Sequence, residues 1–219
     1  MNGTASTVFI VDDAREVRMG LSRLLAAAGY RVRAFESADC FLKEHDAEVP
    51  GCLLLDVCMP GLSGIELQRT LAGSSDTRPI VFLSGRGDIQ TSVHAMKEGA
   101  VDFLTKPVDD QQLFAAVDQA LKRDAEQRLE RSIRDTIQRR LAMLTPRERQ
   151  VMAHVIRGRL NKQIAADLGT GEKTVKVHRA RVMSKMVARS VAELVQLAAR
   201  VGVGIEPGLN TGTSGINWK

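Results

Sequence analysis

The sequence has little cysteine and no long apolar run, and both shortages exclude classes of protein. Its 219 residues contain three cysteines, Cys40, Cys52 and Cys58, without a Cys-x-x-Cys pair. A disulfide framework or a structural zinc site is therefore disfavoured, and a reducing compartment is expected. No apolar run approaches the roughly 18 residues of a membrane helix, and the polar segment 1–7 lacks the layout of a signal peptide. We therefore expect a cytoplasmic protein with no membrane partner.

Charge is distributed unevenly along the chain. Residues 141–205 carry twelve Lys and Arg against four Asp and Glu, a net charge of +8, whereas residues 1–140 carry eighteen against twenty-one. A basic C-terminal third behind a mildly acidic front is typical of a module that binds a polyanion and is attached to a second domain. Nucleic acid is the favoured polyanion.

Short apolar runs alternate with amphipathic segments over roughly the first 108 residues. The apolar runs predict strands at Val8–Val11, Val32–Phe35, Leu53–Leu55, Ile80–Leu83 and Val101–Leu104. The segments between them predict helices at Ala14–Ala28, Ala38–His45, Ser63–Leu71 and Ile89–Glu98, and a fifth helix begins near Asp109. This alternation predicts an α/β fold with a five-stranded, doubly wound parallel sheet. Ligand chemistry in such sheets lies at the carboxyl ends of the strands.

A helical pattern without Gly or Pro continues from Asp109 to about Leu144. Its apolar residues recur in steps of four, so the apolar stripe rotates around the helix, and the alternating spacing of a dimeric coiled coil is lacking. We predict that the early residues pack on the sheet and the late ones face the second domain or another subunit: Leu113, Val117 and Leu121, then Ile133, Ile137 and Leu141. The charged segment 122–128 is expected to be solvated.

The C-terminal region predicts a helix-turn-helix. Thr145 is a good N-cap, with Pro146 at the first helical position and Glu148 completing the cap. Further helices are predicted at Asn161–Leu168, Glu172–Met186 and Val191–Ala199. A tight turn, Gly169–Gly171, joins the first two of these, and the second of them is basic, as in a helix-turn-helix.

These patterns predict four segments along the chain. A sheet domain covers residues 1–122, a helical linker 123–141, and an all-α helix-turn-helix domain 142–203. Residues 204–219, rich in Gly, Thr and Asn, are expected to form a disordered tail.

Charged and polar side chains collect at the predicted carboxyl ends of the strands. Asp12 and Asp13 follow the first strand, Asp56 ends the third, Ser84 ends the fourth and Lys106 ends the fifth. Three carboxylates in one cleft repel unless a cation neutralises them, and oxygen ligands suit Mg²⁺. With the hydroxyl and the ammonium added, the set could accept a phosphoryl group on Asp56, while Mg²⁺ and Lys106 balance the transferred charge.

The same residues carry a resemblance to a known family. The segments that carry it are Phe9-Ile10-Val11-Asp12-Asp13, Leu54-Leu55-Asp56-Val57-Cys58-Met59-Pro60-Gly61, Leu83-Ser84-Gly85 and Phe103-Leu104-Thr105-Lys106-Pro107. They resemble the receiver domain of two-component response regulators, which has a flavodoxin-like fold.

The resemblance implies a role for each matching residue. Asp56 would be phosphorylated by a cognate histidine kinase, and Asp12, Asp13, Asp56 and the backbone carbonyl of Cys58 would bind Mg²⁺. Ser84 and Lys106 would bind the phosphoryl group, and the ring of Phe103 would follow the movement of Ser84. The bond between Lys106 and Pro107 would be cis. Phosphorylation would promote homodimerisation through the surface of Ile89–Glu98 and the fifth strand.

The basic region resembles the LuxR/NarL-type helix-turn-helix, and the chain up to about residue 203 is similar to the FixJ branch of response regulators. The segments that match are Leu144-Thr145-Pro146-Arg147-Glu148-Arg149, Asn161-Lys162-Gln163-Ile164-Ala165 and Thr174-Val175-Lys176-Val177-His178-Arg179. The resemblance assigns base contacts to Lys176, Val177 and Ala180. Contacts to phosphates are expected from Lys162, Thr174, His178 and Arg181. The basic residues Lys173, Lys176, Arg179, Arg181 and Lys185 are expected to give the recognition helix its positive charge for the major groove.

The interpretation is a response regulator that regulates transcription by binding double-stranded promoter DNA, with RNA polymerase as a further candidate partner. It would not be an enzyme beyond its own phosphorylation and dephosphorylation. Two alternatives stay open. A phosphatase with an aspartate nucleophile generally has a second Asp two residues later, where this chain has Cys58. A phosphate sink with residual nonspecific DNA affinity would protect no specific sequence in footprinting.

Overall fold

The computed structural model describes residues 6–74, 76–85 and 89–203, which form two compact units that divide between Arg128 and Leu129. None of the helices in these ranges is long and apolar enough to cross a membrane. The predicted tail, residues 204–219, lies outside the described residues.

The first unit is a five-stranded parallel sheet with the strand order β2-β1-β3-β4-β5. The strands are β1 (Thr7–Val11), β2 (Arg31–Phe35), β3 (Gly51–Asp56), β4 (Ile80–Ser84) and β5 (Asp102–Thr105). The helices between and after them are α1 (Arg15–Ala27), α2 (Ala38–Glu44), α3 (Gly64–Ala72), α4 (Ile89–Lys97) and α5 (Asp110–Ala142). All five predicted strands and the doubly wound class are confirmed.

Alternate side chains of the central strands enter two apolar cores, one on each face of the sheet. Phe9 and Leu53 lie in one core, and Val8 and Leu54 lie in the other. Because both faces are covered, these strands are apolar along nearly their whole length. The strand register aligns Val11 with Leu55, which brings the residues that follow β1 and β3 to the same edge of the sheet.

The helix α5 begins in the first unit and ends in the second. Its early apolar positions, including Leu113 and Val117, pack on the sheet, as predicted. Ile137 and Leu141 are buried in the core of the second unit, which confirms the first of the two predicted locations for the late positions.

The prediction that the segment 122–128 is solvated was wrong for two residues. Asp124 is buried and accepts hydrogen bonds from the backbone N–H of Gly51, at 2.9 Å, and from Nε of Arg128, at 3.0 Å. The Arg128 guanidinium also donates to the backbone carbonyls of Ala47, Glu48 and Val49. The loop before β3 therefore holds this part of α5 through polar contacts that an apolar periodicity cannot show.

The second unit is helical. Its helices are the end of α5, α6 (Pro146–Ile156), α7 (Asn161–Asp167), α8 (Glu172–Met186) and α9 (Val191–Arg200). Thr145 and Glu148 form a capping box at the start of α6, as the sequence predicts. The turn between α7 and α8 places Gly169 at φ +59° and uses Gly171 as an N-cap without a side-chain hydrogen bond.

Candidate functional site

Three carboxylates lie together at the carboxyl edge of the sheet. One carboxylate oxygen from each of Asp12, Asp13 and Asp56 lies within 4.8 Å of the other two. Among the described residues, these three form the cluster that could hold a metal ion. Asp12 and Asp56 are buried, whereas Asp13 is exposed. The predicted convergence of these side chains is confirmed.

Lys106 connects two of these carboxylates. Its Nζ donates to Asp12 Oδ2 at 2.6 Å and to Asp56 Oδ1 at 2.9 Å. Burial alone would lower the pKa of this ammonium, but its bonds to both carboxylates outweigh burial and raise the pKa above its ordinary value. Lys106 therefore stays charged and faces Asp56. The bond to Pro107 is cis, as the resemblance implied.

Asp56 is an unfavourable place for a negative charge. Burial is the main cause that raises its pKa, and the neighbouring charges of Asp12 and Asp13 raise it further. The contact with Lys106 offsets these effects only in part. A cation placed among the three carboxylates would relieve the remaining repulsion.

The donor set of this cluster fits a magnesium ion. Carboxylate oxygens are hard ligands, and Mg²⁺ is typically bound by one or two carboxylates together with waters. The backbone carbonyl of Cys58 belongs to the loop directly after β3, and the side chain of Cys58 is exposed. The cluster thus has the chemistry that the expected ion requires.

Helix α3 begins against the end of β3, and this approach requires a glycine. A Cβ on Gly64 would lie 2.2 Å from the carbonyl oxygen of Asp56. The N–H of Gly64 donates to the carbonyl of Val57 at 3.1 Å, and Ser63 caps the helix in a capping box with Glu66. These contacts fix the backbone that follows Asp56.

Ser84 and Phe103 lie on the neighbouring strands. Ser84 is buried at the end of β4 and pairs in register with Thr105 of β5. Phe103 is half-buried, and the centre of its ring lies 6.2 Å from that of Phe82. The roles predicted for Ser84 and Phe103 in switching stay predictions.

Most of the predicted DNA-contacting side chains lie at the surface of the second unit. Those exposed on α7 and α8 are Lys162, Thr174, Lys176, Val177, Ala180 and Arg181. His178 is half-buried, and its Nδ1 has no hydrogen-bond partner among the described residues. Their contacts with DNA stay predictions.

Two of the basic residues expected to charge the recognition helix have partners inside the unit. Nη1 of Arg179 donates to Asn161 Oδ1 at 3.0 Å. Nζ of Lys185 donates to the buried carboxylate of Glu148 at 2.6 Å, and this ion pair lowers the pKa of Glu148. Arg179 and Lys185 therefore also join α8 to α7 and α6, and the charge of Lys185 is paired with that of Glu148.

Sequence reasoning missed one residue beside the acidic cluster. Nη1 of Arg18 in α1 donates to the backbone carbonyl of Asp12 at 2.7 Å and to that of Asp13 at 3.2 Å. An arginine on a surface helix has no pattern that marks such a contact, so the sequence carried no signal for it.

Two known protein families match this chain, one in each of its two units. The response regulator receiver domain matches residues 8–118, and the family of bacterial regulatory proteins of the LuxR type matches residues 142–198. The chain belongs to the response regulators that join a receiver domain to a LuxR-type DNA-binding domain. These proteins are regulators of transcription and not a family of catalytic enzymes, which disfavours the phosphatase alternative.

Individual relatives cover nearly the whole chain. Nodulation protein W of Bradyrhizobium diazoefficiens is 44% identical over 200 residues, which are 91% of this chain and 88% of that protein. The solved structure of the response regulator StyR is 48% identical, has a TM-score of 0.81 and covers 90% of this chain and 99% of its own. The solved structure of full-length FixJ from B. japonicum is 40% identical and has a TM-score of 0.55. The match covers 91% of this chain and 98% of the FixJ chain.

Proposed function

We propose that a histidine kinase phosphorylates this response regulator on Asp56, and that phosphorylation promotes dimerisation and sequence-specific binding to promoter DNA. The observation that carries this proposal is the position of Lys106, whose ammonium contacts both Asp12 and Asp56 at the edge where Asp13 also lies. Since such a protein meets promoter DNA, we place it in the cytoplasm.

The phosphorylation step uses the residues of this edge. A carboxylate oxygen of Asp56 attacks phosphorus, a new O–P bond forms, and the bond from phosphorus to the donor's leaving group breaks with its electron pair. Lys106 stabilises the negative charge of the transferred group, and Ser84 donates a hydrogen bond to it. Asp12, Asp13, Asp56 and the carbonyl of Cys58 would hold Mg²⁺, which neutralises charge on the phosphoryl oxygens when it is bound.

The dimer is proposed to form through α4 and β5. Three apolar side chains of α4 are exposed at successive turns: Ile89 by 76%, Val93 by 47% and Met96 by 43%. Apolar residues at this spacing lie on one face of a helix and favour contact with a protein partner. Movement of Ser84 and Phe103 after phosphorylation would shift the population towards the conformation in which this face dimerises.

DNA binding is proposed to use α8 in the major groove. Lys176, Val177 and Ala180 would contact base edges, while Lys162, Thr174, His178 and Arg181 would hold phosphates. Two copies of the domain in a dimer would bind paired half-sites that lie about one helical turn apart. RNA polymerase is a further candidate partner of a regulator bound at a promoter.

Footprinting on a genomic promoter library at physiological salt tests this proposal. The wild-type protein treated with acetyl phosphate and Mg²⁺ should protect discrete paired sites at concentrations at which the untreated protein and D56N do not. If the phosphorylated protein protects no specific sequence, DNA-dependent regulation is wrong and the phosphate-sink alternative is favoured.

A further inference from the structure

Arg18 contacts the backbone of both acidic residues that follow β1. Its Nη1 donates to the carbonyl of Asp12 at 2.7 Å and to the carbonyl of Asp13 at 3.2 Å. Arg18 lies in the first turn of α1 and is half-buried, and Asp12 is fully buried. Nη1 of Arg18 thus connects α1 to the backbone carbonyls of the two consecutive aspartates, whose side chains belong to the acidic cluster.

The rest of Asp12 is equally constrained. Its backbone N–H donates to the carbonyl of Phe35, Oδ1 accepts from the N–H of Ala14 at 2.9 Å, and Oδ2 accepts from Lys106. With Arg18 on the carbonyl, every polar group of Asp12 has a partner. The side chain of Asp13 is exposed, so its position depends on the backbone that Arg18 holds.

The charge of Arg18 and its hydrogen bonds act in opposite directions on a bound cation. A positive charge close to the cluster disfavours Mg²⁺ through repulsion, although exposed charges are screened. The hydrogen bonds keep the loop in one arrangement, which reduces the ordering that metal binding would otherwise require. Partners hydrogen-bonded directly to ligating groups typically change metal affinity 10- to 100-fold when they are mutated. Arg18 acts through the backbone of two such residues, so we expect an effect at the lower end of that range.

We propose that Arg18 is a positioning residue for the magnesium site, and that its effect on geometry outweighs the repulsion by its charge. This inference rests on the proposed function, because it assigns the acidic cluster to Mg²⁺. It adds a residue of α1 to the determinants of metal affinity.

Isothermal titration calorimetry with Mg²⁺ on the full-length protein tests the proposal. R18Q, which loses both the charge and the guanidinium, should bind Mg²⁺ about 10-fold more weakly than the wild type. R18K keeps the charge and can still donate to a carbonyl, so its affinity should lie between the two. Circular dichroism establishes that each variant is folded.

R15Q is the matched control. Arg15 is exposed at the first position of the same helix, so this change removes one positive charge near the cluster without removing the contacts of Arg18. Its affinity for Mg²⁺ should equal or exceed that of the wild type. If R18Q binds Mg²⁺ as tightly as the wild type or more tightly, the contacts of Arg18 do not outweigh its charge and the proposal is wrong.

Phosphorylation by acetyl phosphate at varied Mg²⁺ concentration provides a second readout. R18Q should need about 10-fold more Mg²⁺ for half-maximal phosphorylation, while its rate at saturating Mg²⁺ stays close to that of the wild type. If the wild type binds Mg²⁺ but accepts no phosphoryl group on Asp56, the proposed function fails, whereas the role of Arg18 is still decided by the binding data.

Discussion

The ammonium nitrogen of Lys106 lies 2.9 Å from Oδ1 of Asp56, although the two residues are 50 positions apart in the chain. The parallel sheet produces this contact, because β3, β4 and β5 are neighbours that end at the same edge. The pKa of Asp56 is nevertheless raised, since burial and the other two carboxylates outweigh Lys106. The cluster is therefore poised to gain from the binding of a cation.

D56N is expected to stabilise the metal-free protein at neutral pH. A raised pKa means that folding favours the protonated form of Asp56, so the ionised form costs stability above that pKa. The cost decreases as the pH falls through the raised pKa towards the ordinary value of an aspartate. The advantage of D56N over the wild type should therefore be largest near pH 7 and decrease in acid.

Chemical denaturation in EDTA at several pH values measures this difference. D135N is a suitable control, because Asp135 is exposed on α5. It should not reproduce the stabilisation. A D56N protein that is less stable than the wild type at pH 7 would show that the bond to Lys106 outweighs the unfavourable charge.

The sheet and the acidic edge could be predicted from the sequence because they follow from periodicity. Buried strands are continuous apolar runs, so their ends can be located in the sequence. The rule that ligand chemistry lies at the carboxyl ends of parallel strands then brings the residues that follow these runs to one edge. The anchoring of α5 could not be predicted in this way. Asp124 and Arg128 are spaced like an ordinary solvated pair on a helix, and only the loop at Ala47–Val49 distinguishes them.

The same limit applies to the contacts of two basic residues of α8. Every basic residue on a helix adds to the net charge of that helix. Whether its side chain has a partner within the protein depends on residues from other parts of the chain. Arg179 finds Asn161 and Lys185 finds Glu148, at 18 and 37 positions away. Pairwise contacts of this kind have no local signature.

E148Q is expected to destabilise the DNA-binding unit by about 1–3 kcal/mol. Glu148 is buried, accepts from Lys185 and from the N–H of Thr145, and has a lowered pKa, mainly because of Lys185. A lowered pKa contributes stability above the unfolded value, and this contribution is lost as the pH falls through the folded pKa. The difference between E148Q and the wild type should therefore shrink in acid.

Urea denaturation followed by circular dichroism at neutral and acidic pH checks this prediction. The control is E172Q, because Glu172 is half exposed and its 3.5 Å pair with Lys176 lies at the surface. If E172Q loses as much stability as E148Q, the burial of Glu148 is not the cause of the destabilisation.

V187G is expected to stabilise the protein by about 0.5–1 kcal/mol. Val187 is exposed at the C-cap of α8 with φ 55°, a left-handed conformation that β-branched residues rarely adopt. Glycine removes this strain, of about 1–2 kcal/mol, at a smaller cost in unfolded-state entropy.

The same substitution within the helix is the control. V177G should cost about 1 kcal/mol, because Val177 is also exposed but lies inside α8, where glycine lowers helix stability. Thermal unfolding of both variants gives the comparison. If both substitutions stabilise the protein, or both destabilise it, the strain assigned to Val187 is contradicted.

DNA binding by the phosphorylated dimer should depend steeply on salt. If the dimer holds about eight phosphates, log K should fall with log[salt] with a slope near −7. K162Q should reduce the magnitude of this slope by about 2, one contact in each subunit. K43Q, which removes an exposed lysine of α2 in the receiver domain, should leave it unchanged; fluorescence anisotropy at several salt concentrations distinguishes the two.

The most direct test is to treat the wild type and D56N with acetyl phosphate and Mg²⁺, then to measure phosphoryl incorporation by mass spectrometry and the oligomeric state by analytical ultracentrifugation. We predict one phosphoryl group per wild-type chain, on the peptide that contains Asp56, together with a shift from monomer to dimer. D56N should show neither change. Undiminished phosphoryl incorporation in D56N, or a wild type that is phosphorylated on Asp56 and does not dimerise, would contradict this account.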